Sequence, residues 1–261
     1  MSKYFIDALN QKFEFRNYKI FFAVKDGAHA EEIIDTLDRA TPGTMNVFCL
    51  STEPGAELYL YPDLPSIEKV MGRPLGAGEQ IRVLYDENTM LLASPRLPSP
   101  LGEEMVRNLG YILFHREVKE RDIALHQLRT PSWLREGICM QISVRMRPQS
   151  NGFLMNGWSR LQEAEAADKL IKPSVMVKNI AIIPDSARRQ LAFHQSYFMV
   201  KFLMTIYCNK FVQRYGTLMR ALEDMDAEDA FRQVTSFDYE KFHVLFREWV
   251  RSTNALVAVS D

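Results

Sequence analysis

Pro131-Ser132-Trp133-Leu134-Arg135-Glu136-Gly137 carries the signals of a helix start. Thr130 suits an N-cap, and Pro131 suits the first helical position, where its missing N–H leaves no bond unmade. The helix opened there is expected to reach about Met146. Upstream, Gly102 to roughly Ala124 carries an inner stripe of Met105, Leu109, Ile112 and Leu113 and predicts a second helix. Two helices joined by a short connection are usually antiparallel neighbours. His115 and Lys119, four residues apart, share one face of the first helix, so Glu136 on the next can face both.

Further upstream the pattern changes. Tyr18 to Val24 reads as a strand closed by Asp26-Gly27, and His29 to Arg39 as a helix with Ile33, Ile34 and Leu37 on one side. Asn46 to Ser51 and Glu57 to Tyr61 are strand candidates, and Pro62 to Pro65 opens a short helix reaching Met71. Gln80 to Tyr85 and Thr89 to Ala93 are strands joined through Asp86-Glu87-Asn88. Gly76 and Gly78 are followed by no Lys-Ser/Thr pair, which excludes a phosphate loop. Pro95, Pro98 and Pro100 then mark the clearest boundary. Downstream, Pro148 to Gly157 reads as a loop and Ser186 to Val212 as a long helix ended by Tyr215-Gly216. Asp226 caps a helix to Val234, and Asp238 a last one through Val250. Early strands and late helices predict an α+β fold, an N-terminal mixed lobe of about residues 1–100 with a small sheet and a mainly helical lobe of 101–261.

Composition narrows the function classes. Over 261 residues, 32 basic side chains face 33 acidic ones, so no net field draws the chain to nucleic acid or an anionic membrane. Arg145, Arg147 and Arg160 with Trp158 are too few for a nucleic-acid surface. Cys49, Cys139 and Cys208 are sparse and odd in number, which argues against a disulfide framework and predicts a reducing, cytoplasmic setting. The N-terminus meets Asp7 before any apolar run and reads as no signal peptide. Ser196 to Cys208, the most apolar stretch, contains Lys201, is too short to span a bilayer and reads as a core helix.

The helix pair resembles the glutamate-zincin (gluzincin) metallopeptidases, and within them the bacterial peptidase MA-like family. There an H-E-x-x-H helix supplies two zinc-binding histidines and a glutamate base, and a later P-x-W-L-x-E-G segment supplies the third ligand. Zinc hydrolysis needs that set: three protein ligands, an open position for water, and a carboxylate to take the water's proton. Pro131 to Gly137 matches the second segment, with Glu136 at the ligand position. Leu60 to Ser66 resembles the family's strand-to-helix junction. Gln195-Ser196-Tyr197 with Val200 to Leu203 resembles its long helix after the site. Gly216 to Leu222, Ala230-Phe231 and Phe246 to Trp249 resemble its C-terminal helices. The resemblance spans roughly residues 18 to 250 and implies one zincin-like domain over the whole chain.

The first segment departs from the family's pattern. His115-Arg116-Glu117-Val118-Lys119 stands where H-E-x-x-H belongs. His115 keeps the first ligand position, Arg116 replaces the base, and Lys119 replaces the second histidine. Protonated lysine has no lone pair for zinc, and arginine takes no proton near neutral pH. Glu117 lies about 100° further round the helix than Arg116 and reaches the water only if the helix shifts. Glu136 is therefore expected to pair with the Lys119 ammonium in place of metal. His126, in the short connection, is a candidate replacement ligand.

Other residues have plainer readings. Cys139, mid-helix, reads as a buried small apolar residue and not as a nucleophile. Tyr197 and His194 lie where related enzymes place transition-state donors. By themselves they read as a core residue and a surface residue. Phe193, Tyr197, Phe198 and Phe202 form a stripe at helical spacing and read as core.

The expectation is a non-catalytic, peptidase-like protein, without zinc, that holds a peptide or protein partner. In a zincin the groove lies between an edge strand and the motif helix, and Thr89, Met90, Leu91, Leu92 and Ala93 are the candidate edge. The alternative is an active zinc hydrolase using His115 and Glu136 with His126 or Glu117.

Overall fold

Glu57-Leu-Tyr-Leu-Tyr61 and Thr89-Met-Leu-Leu-Ala93 are nearly unbroken apolar runs, the pattern of parallel strands covered on both faces. They form β3 and β5 of a five-stranded sheet ordered β1-β2-β3-β5-β4. The other strands are β1 (Gln11–Phe15), β2 (Tyr18–Phe22) and β4 (Ile81–Leu84). β2, β3 and β5 are mutually parallel, and β1 and β4 close the two sides antiparallel. This computed structural model describes residues 2–48, 53, 55–76, 81–84, 87–97, 108, 111–112, 130–145, 151–207, 217–218, 220–222 and 224–259.

The chain divides into two compact units, Met1–Asn46 with Leu50–Glu117, and Val47–Cys49 with Val118–Asp261. The first holds the sheet. Helix α1 (Gly27–Phe48) follows β2, and α2 (Leu64–Met71) follows β3. Asp63 caps α2 by accepting the Ser66 N–H at 2.8 Å, and Gly72, at φ 67°, ends it. Tyr18 meets Thr41 of α1 at 3.2 Å, which fixes α1 over the face that buries Ile20, Phe22, Leu58, Leu60 and Met90. The opposite face packs Tyr59, Tyr61, Leu91 and Ala93 with Ile67 of α2 and with Tyr4 and Leu9.

The second unit is a helical bundle: α3 (Ser132–Arg145), α4 (Asn151–Ala166), α5 (Ser186–Ile206), α6 (Ala227–Thr235), α7 (Tyr239–Ser252) and α8 (Ala255–Val259). Asp226 and Asp238 cap α6 and α7 as their positions predict, accepting the Asp229 N–H at 3.0 Å and the Lys241 N–H at 2.7 Å. No helix among the described residues is long and apolar enough to cross a membrane.

The α+β class stands, with several local corrections. β1 has no strong apolar signature and went unread; it is held by its ladder to β2. α1 continues through Pro42 to Phe48, so residues 46–48 of the expected strand Asn46 to Ser51 are helical. The expected loop over Pro148 to Gly157 is helical from Asn151. Asn151, Gly152, Asn156 and Gly157 look like turn residues, but Leu154, Trp158 and Leu161 form one buried helical face that overrides them. α5 ends at Ile206, and residues 208–216 of its expected extension lie outside the described residues. α7 is not the last helix. Most important, β5 is not an edge. Thr89 to Ala93 is paired with β3 on one side and β4 on the other, all five residues are buried, and its main-chain groups are spent on those ladders. The edges are β1 and β4.

Candidate functional site

α3 starts one residue later than its sequence suggests. The Pro131 carbonyl accepts the N–H groups of Leu134 and Arg135, each at 3.1 Å, and helical assignment begins at Ser132. Ser132 ties this start to the segment before α5: its N–H donates to the Val177 carbonyl at 2.9 Å, and its Oγ accepts the Ile180 N–H at 3.2 Å. The next residue, Trp133, has no exposed surface. It stacks on Phe242 of α7 at 5.7 Å and 22°, and meets Phe231 of α6 edge-on at 5.7 Å. An indole in that setting fixes the rotation of α3 through both its area and its ring geometry.

That rotation turns Glu136 inward, leaving it only 3% exposed. The Arg135 Nη2 lies 3.7 Å from its Oε1, longer than a hydrogen bond, so this neighbour supplies charge without a close bond. At Gly137 a Cβ would stand 2.3 Å from the Ser196 carbonyl oxygen and 2.5 Å from the Val200 side chain. Only glycine lets α3 and α5 come this close. One turn further on, the Gln141 Nε2 donates to the Tyr197 carbonyl at 3.2 Å. Trp, Glu and Gly in the quoted stretch thus have three distinct jobs: anchoring, presenting a buried charge, and permitting the close crossing.

α5 carries the other buried polar groups. Gln195, fully buried, accepts the Ile171 N–H at 2.9 Å and donates to the Ile171 carbonyl, completing that residue's backbone bonds as a strand would. Tyr197 is core, as expected, and so is Cys139. His194 is not at the surface. It is 8% exposed, with its ring against α4, where a Cβ on Gly157 would lie 2.8 Å from it. Burial, aided by the Arg160 charge, pushes its pKa down to about 4, so the imidazole is neutral near pH 7. The missing side chain at Gly157 makes the space, a fact that His194's own position does not reveal. Trp158 is likewise buried, against Phe198 and Trp249, and takes no part in a surface patch.

A second charged cluster has no local sequence signature. Glu165, on α4, accepts from Arg247 at 3.0 Å and Arg251 at 2.6 Å, and Arg247 also reaches Asp168 at 2.7 Å. The Arg251 hydrogen bond leads in holding the Glu165 carboxyl below its ordinary range. Four charges with every partner matched make a structural brace joining α4 to α7.

His115, Arg116, Glu117, Lys119 and His126 lie outside the described residues, so of the expected site only Glu136 is placed. Among the described residues no three His, Cys, Asp or Glu side chains gather where one metal ion could sit. Compared with protein-family models, curated proteins and solved structures, the chain matches none.

Proposed function

We propose that the chain is a non-catalytic, cytoplasmic relative of the glutamate zincins, in which an ion pair stands where zinc was held, and that it binds an extended peptide or protein partner. The burial of Glu136 carries this reading. A carboxylate at that depth costs several kcal/mol unless a charge or metal compensates it. Arg135 stands 3.7 Å away, and Lys119, one helical turn from His115, is the further cation whose spacing suits the role. Gly137 and Trp133 support the reading further, because both hold Glu136 on rigid helix and neither is needed by an ordinary surface acid. The partner's place moves from β5 to β4. Ile81–Leu84 is the sheet edge beside β5, one of two edges whose outer main-chain groups are unshared in the sheet, and it is suited to one more strand.

The test is to restore one ligand. Lys119→His completes a His-His-Glu set, and zinc is expected to raise the melting temperature of this variant in proportion to the logarithm of its concentration, while leaving the parent chain unchanged. A variant that folds but shows no zinc response means that His115 and Glu136 do not converge, and the zincin reading falls. Stoichiometric zinc in the parent chain defeats the ion-pair reading.

A further inference from the structure

We infer that the sheet unit holds a second, independent site, which takes a small amphipathic anion: a carboxylate or phosphate monoester on a short apolar tail. The site is a pocket of 380 Å³ between the end of α2 and the edge strand β4, a size within the usual range of about 300–1,000 Å³ for small-molecule sites. Its floor is apolar. Val70, Leu84 and Leu91 line it and continue into the core beneath α2. Three cations, Lys3, Arg73 and Arg82, line it as well.

Arg82 is the informative one. Its register partner on β5 is Leu91, a core residue of the face beneath α2, so alternation puts Arg82 on that same side of the sheet, where its side chain is exposed at the mouth of the pocket. A cation on the core face of an edge strand can serve merely to discourage edge pairing. That role explains Arg82 alone. It does not explain why Arg73, after the glycine that ends α2, and Lys3, from the N-terminal segment, line the same cavity. No carboxylate is among the lining residues, and Glu87, the ion-pair partner of Lys3 at 2.9 Å, is also held by Tyr4 at 2.8 Å. Arg82 has no ion-pair or hydrogen-bond partner among the described residues. An apolar floor beside a guanidinium fork that lacks an anion is complementary to a head that accepts two hydrogen bonds and a tail that leaves water.

Calorimetric titration of the full chain with octanoate and with octyl phosphate tests this, with octanol and inorganic phosphate as the tail and the head alone. Saturable binding of at least one amphipathic anion, one per chain, is expected, with octanol and phosphate each weaker by about tenfold or more. Which of the two binds tighter identifies the head group. Arg82→Gln is expected to weaken binding about tenfold and Arg82→Lys less, since lysine keeps the charge and loses the fork. Arg73→Gln provides the same test if Arg82→Gln misfolds. Octanol binding as tightly as octanoate, phosphate alone binding as tightly, no saturation with either amphiphile, or affinity indifferent to both arginines would overturn the inference. None of these results depends on zinc or on Lys119, so the site and the zincin reading can fail separately.

Discussion

The two units bury polar groups differently. Among the described residues of the sheet unit the buried polar ones are Asp26, Thr36, Thr41, Thr89 and Ser94, nearly all small hydroxyls that bond to nearby acceptors. In the helical unit they include Glu136, Gln141, Glu165, His194, Gln195 and His243. A sheet with both faces covered spends its backbone bonds on ladders and needs little else. A helical bundle saturates its backbone within each helix, so ties between helices must come from side chains. Polar groups in such a place are costly alone and specific when matched. That contrast places most of the buried charge among the described residues in the bundle, with Asp26 the exception in the sheet unit.

The sharpest way to break this comparison is Trp133→Ala. If the aromatic cluster sets the rotation of α3, the loss is ~3–5 kcal/mol in denaturant unfolding, as for other buried aromatic truncations. Trp133→Phe should recover a good part of it. A loss below 1 kcal/mol, on the order expected of a surface site, would show that α3 is held by something other than Trp133.

His194 gives a pH test. Its folded pKa, about 4, lies below the ordinary 6.5. The neutral form favoured by the fold is therefore fully present above pH 6.5, and the stabilisation is lost as pH falls from 6.5 towards 4. A gap of about 2.5 pH units at 1.36 kcal/mol each corresponds to ~3 kcal/mol. Stability curves of the parent and of His194→Gln should diverge in that window by about this amount. Parallel curves would mean that the imidazole is solvated.

Gly137→Ala should cost ~1–3 kcal/mol, because the new methyl meets backbone at Ser196 as well as a movable valine. Gly152→Ala is the control: nothing lies within 4 Å of its Cβ position, and alanine there is neutral or slightly stabilising. Equal effects at the two sites would remove the close-crossing argument. The smallest expected change is Glu165→Gln, a drop of about 2 °C in melting temperature, since both arginines are partly solvated. Its folded pKa is lowered, so its contribution is present above the ordinary carboxylate pKa and is lost as pH falls through the lowered value. The variant should lack that acid-side loss.

Local signals were legible where one residue's chemistry decides a boundary. Asp226 and Asp238 cap helices because an aspartate oxygen before a helix accepts an N–H that otherwise has no partner. Glu57–Tyr61 and Thr89–Ala93 were read to the residue, because an apolar run bounded by turn formers has few alternatives. The α+β class follows from the order of such elements. Tertiary structure alone decided the rest. The strand order was not legible, because parallel pairings join residues far apart: β5, paired with β4 across a short turn, is no edge because the distant β3 takes its other side. Turn-like residues at the start of α4 became helical because Trp158 and Leu161 bury one face. His194 became neutral and buried because Gly157, on another helix, leaves room for its ring. Each depends on what a distant segment places against the residue, and that is fixed only when the chain packs.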